Sequence, residues 1–157
     1  MGDIYDSATY EPRKGVGHLL HRVRTEILAA IERGMAADEQ LAAMEATSAQ
    51  FIILATLSMG GSKSASDLCK HMTYDAGAMT RMIDRLEEKG LIKRSRDPGD
   101  RRLVNLELTE KGNAALPRMR DVSMGVLNRF LQGFTKVEVR QLESFLTRML
   151  ENAPRGD

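Results

Sequence analysis

Residues 75–112 read DAGAMTRMIDRLEEKGLIKRSRDPGDRRLVNLELTEKG, and a change of period inside this stretch decides the fold. From Asp75 to Lys89 the apolar residues Met79, Met82, Ile83 and Leu86 fall within one arc of about 100°, wide enough to anchor an amphipathic helix. Asp75 is the expected N-cap, and Lys89-Gly90 is the C-terminal stop. The spacing then shortens to two. Ile92 to Arg96 and Leu103 to Leu108 are predicted strands joined by a turn at Asp97-Pro98-Gly99-Asp100. Val104, Leu106 and Leu108 alternate with Asn105 and Glu107, so one face is expected to be buried. A β-hairpin directly after such a helix has the outline of a wing beside a recognition helix.

Working outward supports this. Ser64 is placed to cap a short helix with Asp67 three residues on, and Ala65, Leu68, Cys69 and Met72 take the i, i+3, i+4, i+7 positions of one face. With only Thr73-Tyr74 before Asp75, the two helices form the pattern of a helix-turn-helix. Thr47, with Gln50 at the third helical position, opens an earlier helix that runs through Phe51, Ile52, Leu54, Ala55 and Leu57 to Gly60-Gly61. Residues 1–14 read as an extended polar arm. A long helix is expected from about Gly15 to Leu41, with Val16, Leu19, Leu20, Val23, Ile27 and Ile31 along it and Gly34 as a kink or early stop. Downstream, Thr109 caps a helix carrying Leu116, Met119, Val122, Val126 and Phe130, bent at Pro117 and ended by Gly133. Thr135 caps a last helix with Leu142, Phe145, Leu146 and Met149. The expected fold is mainly α with a small β-hairpin wing (α+β), one domain over 1–157. A winged helix-turn-helix occupies 47–109, and helices for dimerisation flank it in 1–46 and 110–157.

Composition bounds the function. A chain of 157 residues with 42% apolar and 29% charged residues has the profile of a soluble globular protein, and 4% aromatics with ten Met favour a helical core. There is neither a membrane-length apolar run nor a signal-peptide core, and a single Cys precludes an internal disulfide; a cytoplasmic location is expected. Net charge is only +1, but from Lys63 to Arg102 ten Lys/Arg face seven Asp/Glu, so the basic excess coincides with the motifs.

The arc opposite Met79 and Leu86 holds Thr80, Arg81, Asp84, Arg85 and Glu88. Arg can pair with guanine O6 and N7 in a major groove, and Thr can touch a thymine methyl or a phosphate. Taken alone, the same face also fits a solvated surface of mixed charge. The hairpin carries Arg94, Arg96, Arg101 and Arg102. A guanidinium on a thin hairpin tip can enter the minor groove, held extended by a neighbouring Asp, although Asp100 with Arg101 and Arg102 could equally brace the turn.

The run from Asp97 to Gly112, with its acidic turn, paired arginines and Leu108-Thr109-Glu-Lys-Gly112 exit, resembles the wing signature of MarR-type regulators, and residues 75–92 are similar to their recognition-helix pattern. The resemblance covers nearly the whole chain. It implies a homodimer with interlocked terminal helices that binds a palindromic DNA operator, represses, and releases DNA on binding a small aromatic acid or an oxidant. On this chain it implies Arg102 as the wing-tip contact with Asp100 as partner and Arg101 beside it, and recognition contacts from Ala76, Ala78, Thr80, Arg81 and Arg85.

Other signals are weaker. Cys69 could sense an oxidant, but its place on an apolar face and the lack of a second cysteine favour packing. His18 and His21, one helical turn apart with Arg22 adjacent, lack the further ligands of a metal site and are candidates for contacting an anionic aromatic effector. No phosphate loop, nucleophile motif or metal cluster is present, so neither enzyme activity nor a cofactor is expected. The rival class is a winged domain that binds another protein.

Overall fold

The structure, a computed structural model, describes residues 3–60, 64–72, 74–96, 99 and 104–154. Among the described residues, seven helices and one hairpin follow in the order α1 (Val16–Ala37), α2 (Glu39–Ala43), α3 (Ser48–Ser58), α4 (Ala65–His71), α5 (Ala76–Glu88), β1 (Ile92–Arg96), β2 (Val104–Leu108), α6 (Glu110–Phe130) and α7 (Lys136–Glu151). This is the expected mainly helical winged helix-turn-helix. No helix among the described residues is long and apolar enough to cross a membrane.

The N-terminal segment is folded back, not extended. Asp6 closes a turn by accepting the Ala8 N–H at 2.7 Å, and the rings of Tyr5 and Tyr10 meet edge to face at 4.8 Å. The Tyr5 hydroxyl then accepts the Val16 N–H at 3.0 Å, supplying the cap that Gly15 cannot. Two aromatic rings within six residues supplied enough apolar surface to collapse a segment that otherwise reads as polar.

The expected helix from Gly15 to Leu41 is split. Asp38 adopts an extended backbone that ends α1, and its carboxylate accepts the N–H groups of Gln40 and Leu41 at 3.1 and 3.0 Å to start α2. A strong N-cap at this position outcompetes helix continuation. Gly34 does not stop α1. A Cβ there would lie 2.8 Å from Val122 Cγ1, so this glycine lets α1 and α6 cross closely.

Polar contacts supplement the apolar packing of the long helices against the rest of the chain. Glu32 of α1 accepts both the N–H and the hydroxyl of Ser48, at 2.8 and 2.5 Å, at the start of α3. Thr47 caps α3 by accepting the Gln50 N–H at 3.2 Å. The Gln50 side chain is buried and does not reach back as a full capping box requires. Arg118 of α6 places Nε against both oxygens of Asp38, at 2.8 and 2.6 Å.

Met35, Leu41, Ile53, Leu54, Leu68, Met79, Ile83, Leu86, Ile92 and Met119 form one continuous buried core. The hairpin pairs Ile92 with Leu108 and Arg94 with Leu106, and buries Ile92 and Leu106. Val104, expected on the buried face, is exposed because it pairs with Arg96 at the far end of the ribbon, beyond the reach of α5. The exit to α6 is tightly specified. Thr109 donates its N–H to the Leu91 carbonyl and its hydroxyl to that of Gly90, while its oxygen accepts the Gly112 N–H. A Cβ on Gly112 would meet the Leu91 carbonyl oxygen at 2.0 Å, so only glycine fits. Helix α6 continues unbroken through Pro117, and α7 opens with a complete Thr135–Glu138 capping box.

Candidate nucleic-acid interface

Helix α5 is anchored by Met79, Ile83 and Leu86, all buried, which fixes which face it offers outward. Ala76, Thr80, Arg81 and Arg85 are exposed on that face, and Ala78 is half-buried beside it. The helix starts where Asp75 accepts the Ala78 N–H at 2.8 Å, a bond that holds the Asp75 carboxyl below its ordinary pKa. The Thr80 hydroxyl donates to the Ala76 carbonyl at 2.8 Å, leaving its methyl and an oxygen lone pair for a base or phosphate. A Cβ on Gly77 would lie 3.2 Å from Asp75 Oδ1, a tight approach, so this small residue leaves room for the capping carboxylate.

All five recognition-helix residues expected from the sequence are thus at least partly exposed. Asp100, Arg101 and Arg102 lie outside the described residues. His18, His21 and Arg22 are on a different element, the N-terminal half of α1, where His18 is half-buried and the other two are exposed. Cys69 is half-buried against the core from α4.

Arg94, one of the four arginines that the sequence places on the hairpin, is turned toward helix α5. Its Nη2 donates to Asp84 Oδ1 at 2.5 Å, its Nη1 pairs with Glu87 Oε2, and its backbone N–H donates to Glu87 Oε1 at 3.3 Å. The hydrogen bond to Asp84 and the charge of Glu87 hold the guanidinium pKa above its ordinary value. Sequence reasoning placed Asp84 on the outward face and overlooked this clamp. The period of the strand could have revealed it, since Arg94 shares its face with Ile92, which packs inward. Along the rest of the ribbon, Lys93 pairs with Glu107 at 3.1 Å, and Arg96 is exposed.

An exposed Thr/Arg helix face with a β-ribbon tethered beside it suits simultaneous contact with a major groove and the neighbouring minor groove. Residues 46–104 match the sequence profile described as the MarR family. The repressor NicR of Pseudomonas putida is 36% identical over 130 residues, 78% of each chain. MarR of Escherichia coli is 30% identical over 136 residues, covering 86% of this chain and 90% of the relative. Among solved structures, BpsR of Bordetella bronchiseptica, whose DNA binding is regulated by 6-hydroxynicotinic acid, superposes with a TM-score of 0.76 at 28% identity over 92% of this chain and 99% of its own. A variant of Escherichia coli MarR complexed with operator DNA gives a TM-score of 0.75 at 27% identity over 95% and 99%. On these likenesses, which span its helix-turn-helix, its two strands and its flanking helices, the chain belongs to the MarR family of DNA-binding transcriptional regulators.

Proposed function

We propose that the chain is a homodimeric repressor that holds a palindromic operator with two winged domains and releases it when a small aromatic acid binds. The observation that carries the DNA reading is the outward face of α5, where Thr80, Arg81 and Arg85 stand clear of the core. The dimer is supported by apolar faces that one chain leaves open. Val16, Leu19 and Val23 of α1, Met124, Leu127 and Phe130 of α6, and Leu142, Phe145 and Met149 of α7 are all exposed. A second copy related by a two-fold axis covers such faces and sets two α5 helices one helical turn of DNA apart.

Repression is supported by the kinship with NicR, and the effector class by the likeness to BpsR, whose regulator is an aromatic acid. His18, His21 and Arg22 lie one turn apart on α1 beside the apolar Val16, Leu19, Leu20 and Val23, a fork and walls that suit a carboxylate on a ring. The ligand acts only through unequal affinity for DNA-competent and incompetent spacings of the two winged domains. A tenfold loss of DNA affinity requires about 1.4 kcal/mol of coupling, and DNA must weaken the ligand equally.

The test is an electrophoretic shift with the promoter of the chain's own gene, repeated with salicylate and 6-hydroxynicotinate. A retarded band that the acids dissolve is expected, with Arg22→Ala blunting the response to acid and sparing DNA binding. No shift at all contradicts the DNA reading, whereas a shift that no aromatic acid alters contradicts the effector alone.

A further inference from the structure

We propose that Arg94 is a positioning residue for DNA binding, masking the Asp84 and Glu87 carboxylates of the recognition helix and tying the wing to that helix. The proposal rests on the DNA-binding reading of α5. It starts from a conflict of charge. Helix α5 carries two arginines, Arg81 and Arg85, against three carboxylates, Asp84, Glu87 and Glu88, and so has a net charge of −1. A helix that enters a groove lined by phosphates meets about one negative charge per 1.7 Å of duplex axis, which such a balance opposes. Asp84 and Glu87 are also neighbours at i, i+3 and repel one another.

Arg94 resolves both conflicts at once. It joins Asp84 Oδ1 through one terminal nitrogen and Glu87 Oε2 through the other, while the second Glu87 oxygen takes the Arg94 backbone N–H. Counting Arg94 with α5 gives three cations against three carboxylates. The planar fork can span two carboxylates on successive turns, which a lysine ammonium cannot do in the same geometry. With side chains 34%, 48% and 38% exposed, these bridges contribute little stability by themselves. Their geometry matters more. The three bonds join the middle of β1 to the C-terminal half of α5, and so set the angle between the element that reads one groove and the ribbon that reaches the next.

The test compares full-length wild type, Arg94→Met, Asp84→Asn/Glu87→Gln, and the triple variant, on the duplex that the wild type selects from a random-sequence pool. Measurements are made well below every melting temperature. Arg94→Met should bind about thirtyfold more weakly, because two bared carboxylates then face the phosphates. The triple variant, which lacks both the guanidinium and the carboxylates, should recover about tenfold of that loss. Because every measurement is made well below the melting temperatures, this recovery reports masking and not stabilisation. Arg94→Met with wild-type affinity overturns the proposal. So does a triple variant without recovery, since Arg94 would then act by touching DNA itself. If Arg94→Met does not fold, Arg94→Lys takes its place, with a smaller loss that the same two substitutions recover; no recovery there also overturns it. A wild type that selects no duplex sinks the DNA-binding reading, and this proposal with it.

Discussion

The winged part of the chain and α7 are both helical and well capped, yet only the first has a core within one chain. Every element from α3 to β2 contributes a fully or nearly buried apolar side chain, among them Ile53, Leu68, Ile83, Ile92 and Leu106. Helix α7 buries nothing, with Phe145 53% and Leu150 76% exposed, although its capping box is complete. Caps and periodicity are therefore enough to make a helix, and burial decides where it belongs. Helix α1 shows both behaviours, buried at Ile31 and Met35 and open at Val16 and Leu19. The contrast is explained if the winged part folds within one chain while the ends of α1, α6 and α7 are completed by a second.

The largest test of this contrast is deletion of residues 136–157. Loss of the open face should abolish dimers and weaken operator binding about a hundredfold or more, because two linked half-sites become two independent ones. A truncated chain that stays dimeric and binds normally would break the comparison. Gly112→Ala probes the opposite side. Its Cβ would collide with the Leu91 carbonyl, so about 3 kcal/mol of stability should be lost, read by denaturant unfolding. An unchanged midpoint would mean that the junction of wing and α6 is loose. Arg102→Ala should leave circular dichroism unchanged and weaken operator binding by about 1–3 kcal/mol, and wild-type affinity would remove the wing tip from recognition.

The smallest effect is a pH dependence shared by both regions. Asp75, Asp38 and Glu138 are held below their ordinary pKa values, chiefly by the backbone N–H groups of Ala78, Leu41 and Thr135 respectively. A depressed carboxyl stabilises the fold above its unfolded pKa, about 4, and that contribution is lost as pH falls through the lower folded value. Melting temperature should therefore drop on acidification below about pH 4. Asp75→Asn keeps a cap but removes one titration, so its profile should be flatter; an identical profile would show that Asp75 is not among the groups responsible.

Most of the fold was legible because it is carried by short-range signals. Thr47, Ser64, Asp75, Thr109 and Thr135 each cap the helix that the sequence assigns to them. What could not be read depended on distant partners. The break at Asp38 is fixed partly by Arg118, eighty residues away, and the role of Gly34 by Val122. The outward face of α5 was legible from a helical wheel, since Met79, Ile83 and Leu86 had to point inward. The fate of Arg94 was not, because its two partners are seven and ten residues upstream on another element. The folded-back N-terminus depended on a Tyr5–Tyr10 ring contact that no periodicity announces.

The central claim is that two copies, joined through the open faces of α1, α6 and α7, present two recognition helices to one operator. The most direct measurement is the mass of the protein in solution, by light scattering or sedimentation, for wild type and for Phe145→Glu. A wild-type particle of twice the chain mass is expected. Phe145→Glu should be monomeric and lose operator affinity, with the helical content of its winged part intact. A wild type that is monomeric at micromolar concentration, or a Phe145→Glu variant that remains a dimer, would contradict the central claim.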